Sequence, residues 1–338
     1  MIGMNDKIRI VNLDEEAPKE EKKYSQHWSS YDKAQTQEFG LFMELLANLC
    51  SFVDNPTQVR GRPTLPLSDM VFVSTLKVYS GFSLRRFSGF MEIAREKECI
   101  EKQCAFNTIS HYMKKPEMTE MIYRLIKISS LPLASVEKDF AADSSGFSTS
   151  RFGRYFSYRH KKDTRYRTWI KAHIMCGTRT NIVTDVQITE SNASDYPQLK
   201  LLVDNTAEAF QINEVSADKA YSGRSNLQHV ASHGGTPFIP FKKNAIPMKK
   251  GCRIWREMFH YFQYRRDEFM RHYHKRSNVE TTFHMIKTKF GDSIRSKNMQ
   301  AQINEVLLKV LCHNICVVIQ EMHELGIEPR FYDYSFND

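Results

Sequence analysis

Three acidic residues, remote from one another in the chain, are the ones whose settings could support chemistry. Asp143 closes the apolar stretch Phe140, Ala141, Ala142 ahead of Ser144, Ser145 and Gly146, and Asp218 closes Val215 to Ala217 ahead of a segment that ends in Ser222 and Gly223. An apolar strand that ends in an acid and a turn carries its carboxylate at a sheet edge, because an unpaired charge in a core is costly. Taken alone, such an aspartate is more often a turn-former or a helix cap. Glu280 changes the balance. Tyr273, Arg276, Glu280 and Lys287 follow one another at intervals of three, four and seven residues, and on a helix of about 3.6 residues per turn they share one face, within about 60°. Val279, Phe283 and Ile286 supply an apolar stripe that would pack the same helix on a sheet. An exposed, ion-paired helix has a similar pattern. Carboxylates brought together repel unless they are protonated or bridged by cations, so three of them at one place amount to a metal site.

The elements that must position these acids follow from the periodicity. Val136 to Asp143, Phe147 to Tyr158 and Trp169 to Cys176 are predicted as three consecutive strands, with Ile182 to Ile188 prolonging the last ribbon. A helix over Tyr196 to Ala207, a strand at Glu214 to Asp218, a helix at Arg224 to Ser232 and a strand at Pro237 to Phe241 come next. Helical pattern then covers Arg256 to Phe290, with an interruption, and Ile303 to Met322. Strands in sequence followed by alternating helices and strands give an α/β class with a ribonuclease H-like mixed sheet and flanking helices. In that order the first and fourth strands are neighbours, which would bring Asp143 and Asp218 together.

Upstream, residues 1–35 are expected to be a flexible tail and 36–130 a small all-α, helix-turn-helix-like domain for DNA binding. Its helices are predicted over Phe39 to Phe52, Ser68 to Tyr79, Ser83 to Ala94, Asn107 to Lys115 and Met118 to Ile128. The short helix from Asn107 exposes Thr108, Ser110, His111, Lys114 and Lys115, as a reading helix would, although a plain helical bundle has the same periodicity. The catalytic domain is expected over 131–323 and a C-terminal tail over 324–338.

Charge points to a polyanion. The chain has 338 residues and a formal net charge of +9, with 41% hydrophobic and 26% charged residues. Lys242 to Lys297 holds fifteen Lys/Arg against five Asp/Glu, and Arg151 to Lys171 eight against one, which leaves the remainder net negative. In the second cluster Arg151, Arg154, Arg159, Lys161 and Lys162 interleave with Phe152, Tyr155, Phe156 and Tyr158. Such a hairpin suits backbone contact with stacking on unpaired bases, or else a solvated surface with its aromatics in the core. Trp255 is expected to be a core anchor before a base-stacking group. Seven cysteines without paired metal spacing are expected to be reduced structural thiols. The absence of a signal peptide and of an apolar run near the ~18 residues of a membrane span predicts a cytoplasmic, nucleoid-associated protein.

Tyr273, Arg276, Glu280 and Lys287 reproduce the Tyr-x2-Arg-x3-Glu-x6-Lys signature of the DDE transposases of prokaryotic insertion sequences, with every spacing intact. Trp169 to His173 resembles that family's third strand, and Gly177 to Val183 with Asn192, Ala193, Ser194 and Asp195 resembles its next block. Ala217 to Tyr221 looks like the second-aspartate motif, with Ala220 in place of the commoner glycine. The resemblance covers residues 136–320. It implies a ribonuclease H-like catalytic domain in which Asp143, Asp218 and Glu280 hold two Mg²⁺ (or Mn²⁺) ions, with Asp143 bridging them. It further implies an enzyme that nicks the ends of its element and joins the 3′-hydroxyls to target DNA. Tyr273, Arg276 and Lys287 would hold phosphates of the terminal strand, the partner would be double-stranded DNA, and a homodimer would bring two ends together. A nuclease that only hydrolyses, and a regulator that binds element ends without chemistry, remain as alternatives.

Overall fold

A computed structural model describes residues 27–55, 61, 64–149, 169–247, 251–329 and 331. Its centre is a five-stranded mixed sheet: β1 (Asp139–Ser148), β2 (Trp169–Gly177), β3 (Val183–Glu190), β4 (Glu214–Ala217) and β5 (Thr236–Phe238), in the spatial order β3-β2-β1-β4-β5. The β1–β2 and β2–β3 pairs are antiparallel, and β1–β4 and β4–β5 are parallel. This is the ribonuclease H-like α/β arrangement expected from the order of elements. Side chains alternate along β1. Ala141 and Phe147 face one apolar core, while Phe140 and Ala142 face another.

The second of these cores is covered by α6 (Gln198–Ala207), α7 (Arg224–Ser232), α8 (Arg253–Tyr264) and α9 (Arg266–Tyr273). The first is covered by α10 (Ser277–Phe290) and α11 (Met299–Glu324). The long stretch predicted as one interrupted helix is thus three helices. α9 passes into α10 through a 3₁₀ turn at His274–Arg276, and α10 stops where Gly291 takes φ +86°, a conformation that side chains with a Cβ avoid.

Two strand expectations need correction. β1 does not end at Asp143 but runs on to Ser148, because Ser144, Ser145 and Gly146 pair with His173, Ala172 and Lys171 of β2. Their turn propensity yields to a partner that satisfies their backbone groups. The strand predicted to start at Phe147 is therefore the continuation of β1, and its later residues, 150–158, lie outside those described.

α1 (Trp28–Cys50) begins at Trp28 and not at Phe39, so it takes in residues that the polar pattern assigns to the tail. α2 (Leu67–Ser80) is preceded by Pro66, and Ser68 is no cap: its N–H donates to Asn55 Oδ1 at 3.1 Å. α3 (Ser88–Glu96) starts later than Ser83, because residues 84–87 form turns. α4 (Phe106–Tyr112) ends before the predicted Lys115. It buries Ile109 and Tyr112 and leaves Ser110 and His111 exposed, as the turn after it leaves Lys114, whereas Thr108 and Lys115, also expected to be exposed, are half-buried. α5 (Pro116–Ser130) then leads back to the sheet.

α11 is the axis of the molecule. It packs against α1, α2 and α5 on one side and against α10, β2 and β3 on the other. It is also long and apolar enough to cross a membrane, contrary to the expectation that no stretch would be, but 83% of that window is buried within the fold, as befits a core helix. One of its two wholly buried amides makes the joint. Asn314 accepts from Val183 N–H at 2.9 Å and donates to Val183 O at 2.7 Å and Ser129 Oγ at 3.0 Å. Asn314→Ala would orphan buried groups on β3 and α5, so we expect a loss of roughly 2–4 kcal/mol in urea unfolding. A midpoint unchanged from the parent would show that the joint carries no load.

Candidate active site

The last parallel pair between β1 and β4 is Ala142 with Ala217, so Asp143 and Asp218 are the next residues on two adjacent strands, which lie about 5 Å apart. Beyond that pair β1 keeps β2 on one side and has lost β4 on the other. Asp218 turns there: its carboxylate Oδ1 accepts from Lys219 N–H at 2.6 Å and caps a 3₁₀ turn, Lys219–Tyr221. Asp143 Oδ1 accepts from Ser144 N–H at 2.8 Å. Burial pushes the Asp143 carboxyl above its ordinary range. The Ser144 N–H and the Arg276 guanidinium oppose that rise, and the charges of Asp218 and Glu280 add to it.

Glu280 reaches this place from α10. Val279, Phe283 and Ile286 are buried beneath that helix, as the stripe predicted, and its opposite flank leaves Glu280 exposed. Arg276 joins the acids: Nη1 donates to Asp143 Oδ2 at 2.8 Å and Nη2 to Glu280 Oε1 at 2.6 Å. Tyr273 stands three residues before Arg276, and along the 3₁₀ turn side chains at that interval stack, which sets the guanidinium 5.8 Å from the ring centre. The continuous helix assumed for 273–287 is therefore tightened at its start, yet the four residues still share a side. Lys287 donates to Ser145 Oγ at 2.6 Å, with its ammonium 5.2 Å from the Phe147 ring. Burial lowers the Lys287 pKa, against the pull of Asp292.

The guanidinium stands between two of the carboxylates and keeps them apart. Among the described residues, the only three metal-ligating side chains with donor atoms within 4.8 Å of one another lie elsewhere, on α6, on α7 and just past the end of α7. Asp143, Asp218 and Glu280 nevertheless face one another closely enough for the charges of the latter two to act on the first.

Of the groups that hold the site, His272, Lys275 and Asn278 were not singled out from the sequence, and Lys171, His173 and Asp195 stood there only within blocks of family resemblance. Lys275, next to Arg276, donates to Asp139 Oδ2 at 2.7 Å and Glu214 Oε2 at 2.8 Å, bridging the first residues of β1 and β4. His272 Nδ1 lies 2.9 Å from Glu214 Oε1. This lock fixes the 3₁₀ turn across the two strands that carry the aspartates, and its only signal in the sequence is an acid at the head of each strand. Asn278 anchors α10 by donating to Thr178 O at 2.8 Å. On the other face of the sheet Asp195 accepts from Ser144 Oγ at 3.1 Å and pairs with Lys171. His173, cross-strand from Ser144, is pushed down to about 4 by burial, so it stays neutral at neutral pH.

Trp255 packs edge-on against Phe241 at 4.7 Å and donates from Nε1 to Ile246 O at 3.2 Å, which is the anchoring role expected of it. All seven cysteines are free thiols, in keeping with the reduced state expected. The basic hairpin residues Arg151, Arg154, Arg159, Lys161 and Lys162 lie outside the described residues.

A family model described as the transposase DDE domain matches residues 134–315, a span that holds the whole sheet and all three acids. No curated protein matches the chain.

Proposed function

Because the chain belongs to the transposase DDE domain family, and that family acts on DNA with divalent metal, we propose that it binds the ends of its own element, cuts there, and joins the freed 3′-hydroxyls to target DNA. The observation that carries this reading is the meeting of Asp143, on β1, and Asp218, just past the parallel strand β4, with Arg276 of the 3₁₀ turn and Glu280 of α10 brought over them.

The donor set fits Mg²⁺ or Mn²⁺. All three ligands are carboxylates, the hard oxygen donors that such ions prefer, and the Asp143 carboxyl is lifted by burial first, with the charges of Asp218 and Glu280 adding to it. Asp143, Asp218 and Glu280 would hold the ions, Asp143 between the other two. A pair of bound ions supplies activation of the attacking oxygen and stabilisation of the leaving one.

Arg276 supplies positive charge to the acids when they stand alone, and its planar fork matches a phosphate as well as it matches a carboxylate. With Asp143 and Glu280 given over to metal, the Arg276 guanidinium would be free to take a phosphodiester entering the site. Lys287, held against Phe147 and Phe283, offers a compact positive charge to the next phosphate. Tyr273 lines the same edge, its hydroxyl kept protonated by burial first, against the opposing effect of Arg276. These groups place the backbone of DNA and carry no sequence information. Reading of the ends falls to the helices of residues 36–130, the basic residues from Arg151 to Lys162 add phosphate contacts, and a homodimer on DNA, acting in the cytoplasm, holds two ends at once.

The test is a joining assay. The purified chain is incubated with labelled duplexes made from the DNA that flanks its coding region, with Mg²⁺ and an unlabelled target plasmid. Labelled 3′ ends covalently linked to the plasmid are expected. Cut ends without any linked product would instead identify a hydrolytic nuclease.

A further inference from the structure

A second cluster lies in the layer of helices on the opposite face of the sheet from α10. On α7, His229 and the residue just past its end, His233, stand four apart, an interval that brings two side chains to one face of a helix. Both aim at α6: His229 Nε2 lies 2.7 Å and His233 Nε2 2.8 Å from the same atom, Asp204 Oδ1. The two rings are 5.1 Å apart between centroids and inclined at 69°, so their nitrogens converge without the rings stacking. All three donor atoms fall within 4.8 Å of one another.

We infer that Asp204, His229 and His233 form a binding site for a borderline transition-metal ion of the Zn²⁺ class, which clamps α6 to α7. The dimensions suit it. Zn²⁺ takes imidazole nitrogen and carboxylate oxygen at about 2.0–2.2 Å, and in a tetrahedral shell such donors lie about 3.3 Å from one another. The two Asp204–histidine separations need to open by only about half an ångström, within the swing of side-chain torsions. The donor set is also chemically unlike the acid cluster. Two imidazoles with one carboxylate select zinc-like ions, whereas three carboxylates select Mg²⁺ and Mn²⁺. Partial exposure of all three side chains gives the ion a way in and leaves its fourth position to water.

The clamp has a structural consequence. α6 packs on β2 and β3, while α7 packs on β5 and follows directly from the turn that Asp218 caps. One ion would tie the two halves of this layer together behind the site. The sequence signal was the His-x3-His spacing, which says nothing until the fold brings in Asp204.

The full chain, freed of metal with a chelator and kept reduced, is titrated with Zn²⁺ by calorimetry in excess Mg²⁺. One tight equivalent is expected, together with a rise in Tm of several degrees, in the parent and in Asp143→Asn alike. Loss of that equivalent is expected in His229→Gln, His233→Gln and Asp204→Asn, each of which alters a partly exposed side chain. Co²⁺ added in place of Zn²⁺ should give visible ligand-field bands without thiolate charge-transfer. The inference is overturned by any of three results: no stoichiometric binding in the parent, undiminished binding in the three variants, or thiolate charge-transfer that traces the ion to cysteine. None of these readouts depends on strand transfer, so the clamp and the proposed function stand or fall separately.

Discussion

Asp143→Asn should reduce strand cleavage and joining by about 10³-fold or more while the protein continues to bind element-end duplexes. The substitution keeps the shape of the side chain and removes the charge that two cations would share. Stability should move the other way. Burial raises the Asp143 carboxyl above its ordinary value, so over the interval between the two values the folded protein keeps a proton that the unfolded chain has released. The stability from this group is therefore complete below the ordinary carboxylate range and is lost as the pH climbs through the raised value. An amide cannot titrate. Thermal melts in chelator from about pH 4 to 7 should show the parent losing ground relative to Asp143→Asn, whose midpoint at neutral pH should equal or exceed the parent's. Cleavage within about tenfold of the parent would remove Asp143 from the chemistry.

Arg276→Ala carries the second large effect, and it should reach the fold as well as the reaction. The guanidinium and its Asp143 partner are each only 22% exposed, and the same group also holds Glu280. Truncation leaves a part-buried carboxylate beside two others without its nearest cation, so in chelator at neutral pH we expect a loss of roughly 1–3 kcal/mol. The cost should shrink on the Asp143→Asn background, with a coupling of at least about 0.5 kcal/mol in the double-mutant cycle. Saturating Mg²⁺ should also restore part of the lost stability, because bound ions would replace the missing charge. Additive losses, indifferent to Mg²⁺, would mean that Arg276 is a surface residue of the helix and not the counter-charge of the acids.

The parts of this site that were legible in the sequence are those set by local pattern and strand order. Adjacency of Asp143 and Asp218 follows once three strands precede the first helix of the sheet, and Val279, Phe283 and Ile286 announce which side of α10 goes down. What stayed hidden depends on contacts between distant residues. Nothing near Ser144 to Gly146 says that β2 will pair with them and carry β1 through what looks like a turn. The 3₁₀ turn that aims Arg276 is held by Lys275 reaching the heads of two strands, 136 and 61 positions away in the chain. Tyr196 shows the same limit from the other side: its ring lies where a Cβ on Gly223 would be, so that glycine is fixed by crowding that no local pattern reveals.

The placement of α11 bears on how the protein could respond to DNA. α1, α2 and α5 hug one flank of that rod, and α10, which carries Glu280, rests on it as well. Were the amino-terminal helices to engage a duplex as proposed, any tilt imposed on them would reach the acid-bearing helix along this keel, and engagement of an end and readiness to cut would be linked. For the same reason a clip of the backbone near residue 130 would not liberate a working catalytic half. It would leave a greasy, unclad flank.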